Sequence, residues 1–334
     1  MKGEYKKRFT KDILFINNIE SRVDAMVQKL KEDISRVLKR RGAVVGISGG
    51  IDSSVSLALA AKALGPDNVI GILLPEKDSS SDSKELALKL ADQLGVRTIE
   101  ENITHALEGF QCYRRRDEAV ASVFPEYNPR DYAMKIGINP ESVSHNLPPV
   151  FSLTIIDKNG VSRSQLLPVK EYLQIVAASN FKQRCRMSML YYYAESRYYA
   201  VIGTPNKHEV EQGFFVKYGD GGADVMPIAN LYKTQVYQVA EYLNIPAKII
   251  ERVPTSDTYP AEQTQQEFFF QLPFREMDLI WFGYENGYEP EEVGNILGKT
   301  PEEIKIIYNN FRRKQRTTEY LRMAPLQNYQ ETAS

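Results

Sequence analysis

Cysteine and histidine are scarce in this chain of 334 residues, with two cysteines, Cys112 and Cys185, and three histidines, His105, His145 and His208. The cysteines form no C-x-x-C pair, which argues against a disulfide framework and a cysteine-built zinc site and suits a reducing compartment. Three scattered histidines argue against a histidine-based metal centre. No apolar run approaches the roughly 18 residues that a membrane helix needs. The charged start, Met1 to Lys7, is not followed by a signal-peptide core. These absences read as a cytoplasmic protein with no membrane partner. An excess of one charge is also missing: the formal net charge is −1, which gives no global electrostatic case for a nucleic-acid partner. There are no internal repeats, and the G-x-x-x-x-G-K-[ST] phosphate loop does not occur. What remains, 43% apolar and 25% charged residues, is ordinary for a globular chain and long enough for a sizeable core.

The richest stretch is Ser48-Gly49-Gly50-Ile51-Asp52-Ser53-Ser54. It follows the apolar run Ala43 to Ile47 and precedes an Ala- and Leu-rich helical run, Val55 to Leu64. Strand, small-residue turn and helix form the context in which backbone N–H groups converge on phosphate, helped by the positive end of the helix dipole. Asp52 repels phosphate, so its natural partner is a divalent cation that also touches phosphate. An ordinary Gly-Ser turn capping a helix is the bland alternative.

Alternation of elements sets the frame. Apolar positions from Ile19 to Leu38 recur at three- and four-residue spacing and predict a helix over 19–40. Val69 to Leu74 reads as a second buried strand, Ser83 to Leu94 as a helix and Val96 to Ile99 as a third strand. This rhythm predicts a doubly wound parallel α/β sheet with flanking helices, its ligands at the carboxyl ends of the strands. Residues 101–168 break the rhythm with prolines and few helical stripes. They read as an insertion carrying a β-hairpin about Asp157-Lys158-Asn159-Gly160, either a lid or interface element or a structural decoration. Two helices, Val169 to Ser179 and Phe181 to Ser196, then lead to a fourth strand, Tyr199 to Ile202. Leu231 to Leu243 reads as helical. We place an α/β domain over 1–260 and a helical C-terminal extension over 261–334, packed on the same domain.

A second constellation follows the fourth strand: Gly203-Thr204-Pro205-Asn206-Lys207-His208-Glu209, then Gly213-Phe214-Phe215-Val216-Lys217-Tyr218-Gly219-Asp220-Gly221-Gly222-Ala223-Asp224. Unpaired charges do not suit a core element, and paired phenylalanines do not suit a bare surface loop. The mixture fits a loop folded over a ligand.

The Ser-Gly-Gly-x-Asp-Ser loop resembles that of the ATP pyrophosphatase superfamily, whose members split ATP between its α- and β-phosphates. With Arg184-Cys185-Arg186-Met187, Leu231-Tyr232-Lys233-Thr234-Gln235 and Pro254-Thr255-Ser256-Asp257, the chain resembles the synthetase domain of the NAD synthetase family. The likeness covers residues 43 to about 100 and 181 to about 260, with a weaker echo at 310–325. It implies a Rossmann-like fold and ATP-dependent amide formation. A carboxylate, in the family the nicotinate of deamido-NAD, is adenylated with loss of pyrophosphate, and ammonia then displaces AMP. It implies that Gly46, Ile47, Ser48, Gly49, Gly50, Ile51, Asp52 and Ser53 cradle ATP, with Thr204, Lys233 and Thr255 also touching it. Asp52 and Glu209 would hold Mg²⁺, and Asp52 and Lys233 would carry the chemistry. Arg184, Lys217 and Asp224 would touch the dinucleotide. It further implies a homodimer fed by free ammonia or by a separate glutaminase.

Two departures bear on the substrate half. Where the family carries lysine in Thr-Glu-x-Lys-Arg, this chain has Leu321 in Thr318-Glu319-Tyr320-Leu321-Arg322. Gln263-Thr264-Gln265-Gln266-Glu267 stands where an acidic Asp-Glu pair is usual. A different carboxylate or amine is therefore an alternative. An adenylating RNA-modification or sulfur-transfer enzyme is another, if Cys112 and Cys185 meet in the fold. Two C-terminal helices, Pro290 to Leu297 and Pro301 to Phe311, followed by Arg312-Arg313-Lys314-Gln315-Arg316, also allow a helix-turn-helix reading, against a plain helical pair packed on the sheet.

Overall fold

Four short parallel strands form the central sheet in the order β3-β2-β1-β7: β1 (Ala43–Gly46), β2 (Val69–Leu73), β3 (Arg97–Glu100) and β7 (Ala200–Ile202). The structure, a computed structural model, describes residues 6–79, 81–138, 150–254, 259–261, 264, 270 and 272–327. The inner strands are apolar without alternation because both faces are covered. Side chains still alternate between faces. Ala43 and Val45 join Val23, Leu30, Val55, Leu59, Val236 and Val239, from α1 (Ile19–Glu32), α2 (Ile51–Leu64) and α8 (Lys233–Tyr242). Val44, Ile70 and Ile72 face the other way, toward Leu107, Cys112, Ala178 and Ala194. α3 (Ser81–Gln93) connects β2 to β3. Helix α2 is buried on nearly every side by small and apolar residues, as a helix must be when it is wedged between neighbours.

Three readings of the helices need correction. The first helix is α-helical only to Glu32; a π-turn, Asp33–Val37, follows. The expected break near Asn180 is absent. α6 (Val169–Glu195) runs uninterrupted for 27 residues, since neither proline nor glycine interrupts it and Ser179 Oγ turns inward to donate to the Ile175 carbonyl. The insertion is also more regular than its sequence suggests. It holds α4 (Thr104–Gly109) and α5 (Cys112–Val123) before its strands. The apolar stripe of α5, Tyr113 and Val120, is interrupted by Arg116, a buried arginine standing where a hydrophobe is expected.

The predicted hairpin is present, extended by one strand. β4 (Tyr132–Ile138), β5 (Phe151–Asp157) and β6 (Ser162–Leu166) form an antiparallel sheet. Thr154 lies opposite Lys135 on one side and Ser164 on the other. Gly160 adopts φ +81° in the turn, and Asp157 Oδ1 accepts from the Asn159 and Val161 amides. The inner face, Met134, Ile136, Leu153 and Ile155, packs on Val120, Phe124 and Ile175.

Short helices α7 (Lys207–Gln212) and α9 (Ala247–Ile250) flank the loops beyond β7. The chain ends in α10 (Phe274–Glu285), α11 (Pro290–Leu297) and α12 (Pro301–Arg322). Their core surrounds Trp281 and takes in Phe9, Leu14 and Tyr232 from the preceding part of the chain. Gly298, at φ +70°, turns α11 into α12. α12 runs eleven residues past the expected end at Phe311. Ile304 and Phe311 are buried, and Asn310, Lys314, Thr317 and Thr318 line an internal cavity. The helix that a DNA reader would expose is turned into the protein.

Candidate active site

A cavity of about 940 Å³ opens at the carboxyl edge of the sheet, at the upper end of the roughly 300–1,000 Å³ typical of small-molecule sites. Its floor is the loop leaving β1. Gly46, Ile47, Ser48, Gly50, Ile51, Asp52 and Ser53 all line it, as do Thr204, Pro205 and Glu209 from beyond β7. The two constellations, about 150 residues apart in sequence, therefore meet across one space.

The floor is built to receive an anion. Gly49 takes φ +72°, and Gly50 stands at the N-cap of α2 with no side-chain cap. The first amides of α2 thus lack the side-chain acceptor that such helix ends usually have. Ser48 Oγ and Ser53 Oγ lie 3.2 Å apart, and Ser53 Oγ donates to the Gly50 carbonyl at 3.0 Å. A Cβ on Gly49 would sit 2.2 Å from the Ser83 carbonyl oxygen. Backbone touches backbone there, and only glycine fits.

Above this loop Asp52 meets its partners. Its Oδ1 accepts from Asn206 Nδ2 at 3.3 Å, and its Oδ2 pairs with Lys233 Nζ. Lys233 is fully buried; it is no solvated surface lysine. Burial would lower its pKa, but Asp52 and Glu209 hold it above the ordinary lysine value. Glu209 caps α7 in a reciprocal box with Asn206. Burial, and then the charge of Asp52, push the Glu209 carboxyl up to about 8. Two carboxylates on the cavity wall with one ammonium behind them suit a divalent cation. Among the described residues no three His, Cys, Asp or Glu side chains gather to enclose one. Its other ligands would be phosphate oxygens and water, the usual Mg²⁺ arrangement.

The remaining expected residues are placed differently. Arg184, Lys217 and Asp224 do not line the cavity. Arg184 Nε donates to the Lys217 carbonyl, and Lys217 Nζ donates to the carbonyls of Tyr320 and Met323 at 2.8 Å each. Asp224 accepts from the Val201 amide and the Tyr191 hydroxyl. The cavity is instead reached by Arg186, Gln183 and Met187 of α6, by Phe214, Phe215 and Val216 of the glycine-rich loop, and by Arg252, Arg313 and Lys314. Helical phase was the available signal. Lys182 and Arg186 are four residues apart on one face of α6, and Arg184 points elsewhere. Thr255, Gln263 and Gln265-Gln266 lie outside the described residues. Neither Cys112 nor Cys185 lines the cavity, which removes the basis of a sulfur-transfer reading. Cys112 Sγ donates to the Ala178 carbonyl, and burial raises both thiols.

One cluster beside the cavity is invisible in sequence. Glu76 and Asp78, in the loop after β2, are both buried. Lys182 Nζ contacts Glu76 at 3.0 Å and Asp78 at 2.7 Å, and Arg116 Nη1 meets Asp78 at 2.5 Å. Arg116 Nε reaches Asp117, and the Tyr113 hydroxyl donates to Glu76 at 2.7 Å. Burial pulls Asp78 upward, but Arg116 and Lys182 prevail and hold it below the usual carboxylate value. The insertion thus fastens, through α5, the loop whose Leu74, Pro75 and Ser79 line the cavity.

Comparison with known proteins places these features. A family model described as NAD synthase matches residues 22–128 and 151–324. The NH3-dependent NAD+ synthetase of Mesorhizobium japonicum is 46% identical over 304 residues, 91% of this chain and 95% of that protein. Among solved structures, an NH3-dependent NAD synthetase from Campylobacter jejuni, in complex with the nitrate ion, aligns with TM-score 0.61 at 21% identity, covering 93% of this chain and 99% of that one. An NMN synthetase from Francisella tularensis aligns with TM-score 0.58 at 23% identity, covering 93% and 99%. At those identities the two structures speak for the fold.

Proposed function

The chain belongs to the NAD synthase family, and from that premise we propose that it joins ammonia to the nicotinate carboxylate of deamido-NAD at the expense of ATP. The observation that carries the reading is that Asp52 and Glu209 line one large cavity beside an uncapped helix N-terminus, with the buried Lys233 ammonium paired to Asp52 behind them.

A carboxylate is a poor electrophile, so it is activated first. Its oxygen attacks the α-phosphorus of ATP, the bond to the bridging oxygen breaks, and pyrophosphate leaves with that electron pair. Ammonia then attacks the acyl carbon of the adenylate, loses a proton, and AMP departs with the former carboxylate oxygen. Positioning and electrostatics supply most of the catalysis in such transfers. The amides of Gly49 to Ser53 and the serine hydroxyls bind phosphate. Lys233 offsets the charge that builds on pyrophosphate. Asp52 and Glu209 would hold Mg²⁺, which when bound neutralises phosphate charge. Thr204 and Thr255 contribute to the ATP subsite. Arg184, Lys217 and Asp224 belong to the dinucleotide side, and the enzyme works as a homodimer. Ammonia comes from solution or from a separate glutaminase. No helix among the described residues is long and apolar enough to cross a membrane, and we place the enzyme in the cytoplasm. Leu321, where the family has lysine, favours a second reading in which the same activation serves another carboxylic acid.

Purified protein incubated with ATP, Mg²⁺, ammonium and deamido-NAD is expected to give NAD and AMP in equal amounts, with Asp52→Ala inactive; mass spectrometry and a pyrophosphate assay follow both. No NAD, with ATP–pyrophosphate exchange only when another carboxylic acid is added, selects the second reading. Gly49→Ala is expected to raise KM for ATP at least about tenfold, because its Cβ collides with backbone at a positive φ. An unchanged KM would remove that loop from the ATP subsite.

A further inference from the structure

His208 and Asp278 are the most deeply buried polar pair of this region, and the two-step reaction leaves them without a task. Asp278 sits on α10, in the helical C-terminal part, and is fully buried with His208. A buried carboxylate is costly unless each oxygen finds donors. Here Oδ2 accepts from the Thr234 amide at 2.7 Å. Oδ1 accepts from the Lys233 amide at 3.3 Å and faces His208 Nε2 at 2.5 Å. The other ring nitrogen, Nδ1, lies 3.2 Å from Gln212 Nε2. With the Gln212 amide donating to Nδ1, the histidine proton rests on Nε2, whose N–H donates to Asp278 Oδ1. Tyr232, Phe270 and Trp281 enclose the ring edge-on, keeping water from competing.

The two amides that Asp278 receives are the first two of α8. A carboxylate there does for the helix, from a distant element, what an N-cap side chain does locally, and its charge matches the positive end of the dipole. The helix begins at Lys233, so that residue is held at both ends: its main-chain nitrogen by Asp278 and its Nζ by Asp52. The histidine end of the pair reaches α7, where His208 directly precedes Glu209 and stands two residues after the Asn206 cap that touches Asp52. One side chain from the C-terminal part therefore ties together the starts of the two helices that carry every described partner of Asp52.

We propose that Asp278, with His208 behind it, is a positioning residue for the adenylation step: it fixes where α8 starts and so where the Lys233 ammonium meets Asp52 and the departing pyrophosphate. The inference rests on the function proposed above. It assigns no contact with substrate to Asp278, and it gives the C-terminal helices a part in the site that sequence alone does not show.

The test compares Asp278→Asn with Asp278→Ala, each normalised to folded protein by circular dichroism and thermal melting. Asparagine keeps one acceptor oxygen, enough for the shorter of the two bonds, that from the Thr234 amide, and caps helices about as well as aspartate. It is expected to keep kcat for pyrophosphate release within about threefold of wild type. Alanine leaves the amides unanswered and is expected to lower that kcat 10- to 100-fold per folded molecule, with KM for ammonium unchanged. Asp278→Ser, too short to reach both amides, serves the same comparison if the alanine protein does not fold. A stabilising role alone predicts a lower melting temperature and wild-type kcat per folded molecule, and that result overturns the proposal. So does a loss in the asparagine protein as large as in alanine, which would place the effect in the carboxylate as a whole rather than in the cap on α8. A wild-type protein that releases no pyrophosphate with any carboxylate overturns the proposed function instead, a result separable from both.

Discussion

Lys233→Met is expected to lower the rate of pyrophosphate release by roughly 10²–10³-fold, the usual loss when one preorganised donor to developing charge is removed. Lys233 is fully buried, its ammonium is engaged by Asp52, and it is the only cation paired with that carboxylate among the described residues. Lys233→Arg is expected to recover little, because a planar guanidinium does not fit a closed slot shaped around an ammonium. Both variants are to be assayed at saturating ATP, with folding checked by circular dichroism. Residual activity within tenfold of wild type would remove Lys233 from the chemistry and leave it as a structural partner of Asp52.

Arg116→Met carries the largest expected effect on stability. The guanidinium is 2% exposed and pairs with Asp78 and Asp117. Removing it leaves Lys182 alone among Glu76, Asp78 and Asp117. Breaking one partner out of a buried pair costs about 3–5 kcal/mol, to be read from urea unfolding. The pH dependence has a definite sign. Asp78 is held below its ordinary value in the fold, so its contribution is present above the unfolded carboxylate pKa and is lost as pH falls through the lower folded value. Without Arg116 the folded value rises, the loss starts at higher pH, and the acid-unfolding midpoint moves upward. An unchanged midpoint would mean that Lys182 alone sets the ionisation of Asp78. Because this cluster fastens the loop of Leu74, Pro75 and Ser79, KM for ATP is expected to rise in the same variant.

The parallel sheet, the phosphate loop and the hairpin were legible because each has a local signature: apolar runs, a glycine at positive φ, and Asn-Gly between alternating residues. What escaped has a common physical cause. Helix α5 was hidden by Arg116, since a buried charge looks like a surface residue until its carboxylates are known. The continuity of α6 was missed because the Ser179-Asn180 step looks like a cap, although Ser179 turns inward. Of the candidate residues, Asp52, Glu209 and Thr204 were legible as a group: their motifs follow two strands, and all three line the cavity at the carboxyl edge of the sheet. The site was less legible on α6 and α12, where what matters is which face of a long helix turns inward; spacing from motif to motif does not record that, and Arg186 rather than Arg184 reaches the cavity. Asp278 left no signal at all, being one charged residue among Arg275, Glu276 and Glu285 on its helix.

Lys217 ties the glycine-rich loop to the length of α12. Its ammonium grips the carbonyls of Tyr320 and Met323 at the very end of α12, while its neighbours Phe215 and Val216 form part of the cavity wall. The last turn of α12 therefore works as a latch plate for the glycine-rich loop. Shortening α12 by one turn keeps every residue that lines the cavity and removes a carbonyl that Lys217 holds, so the length of this helix is felt at the cavity wall.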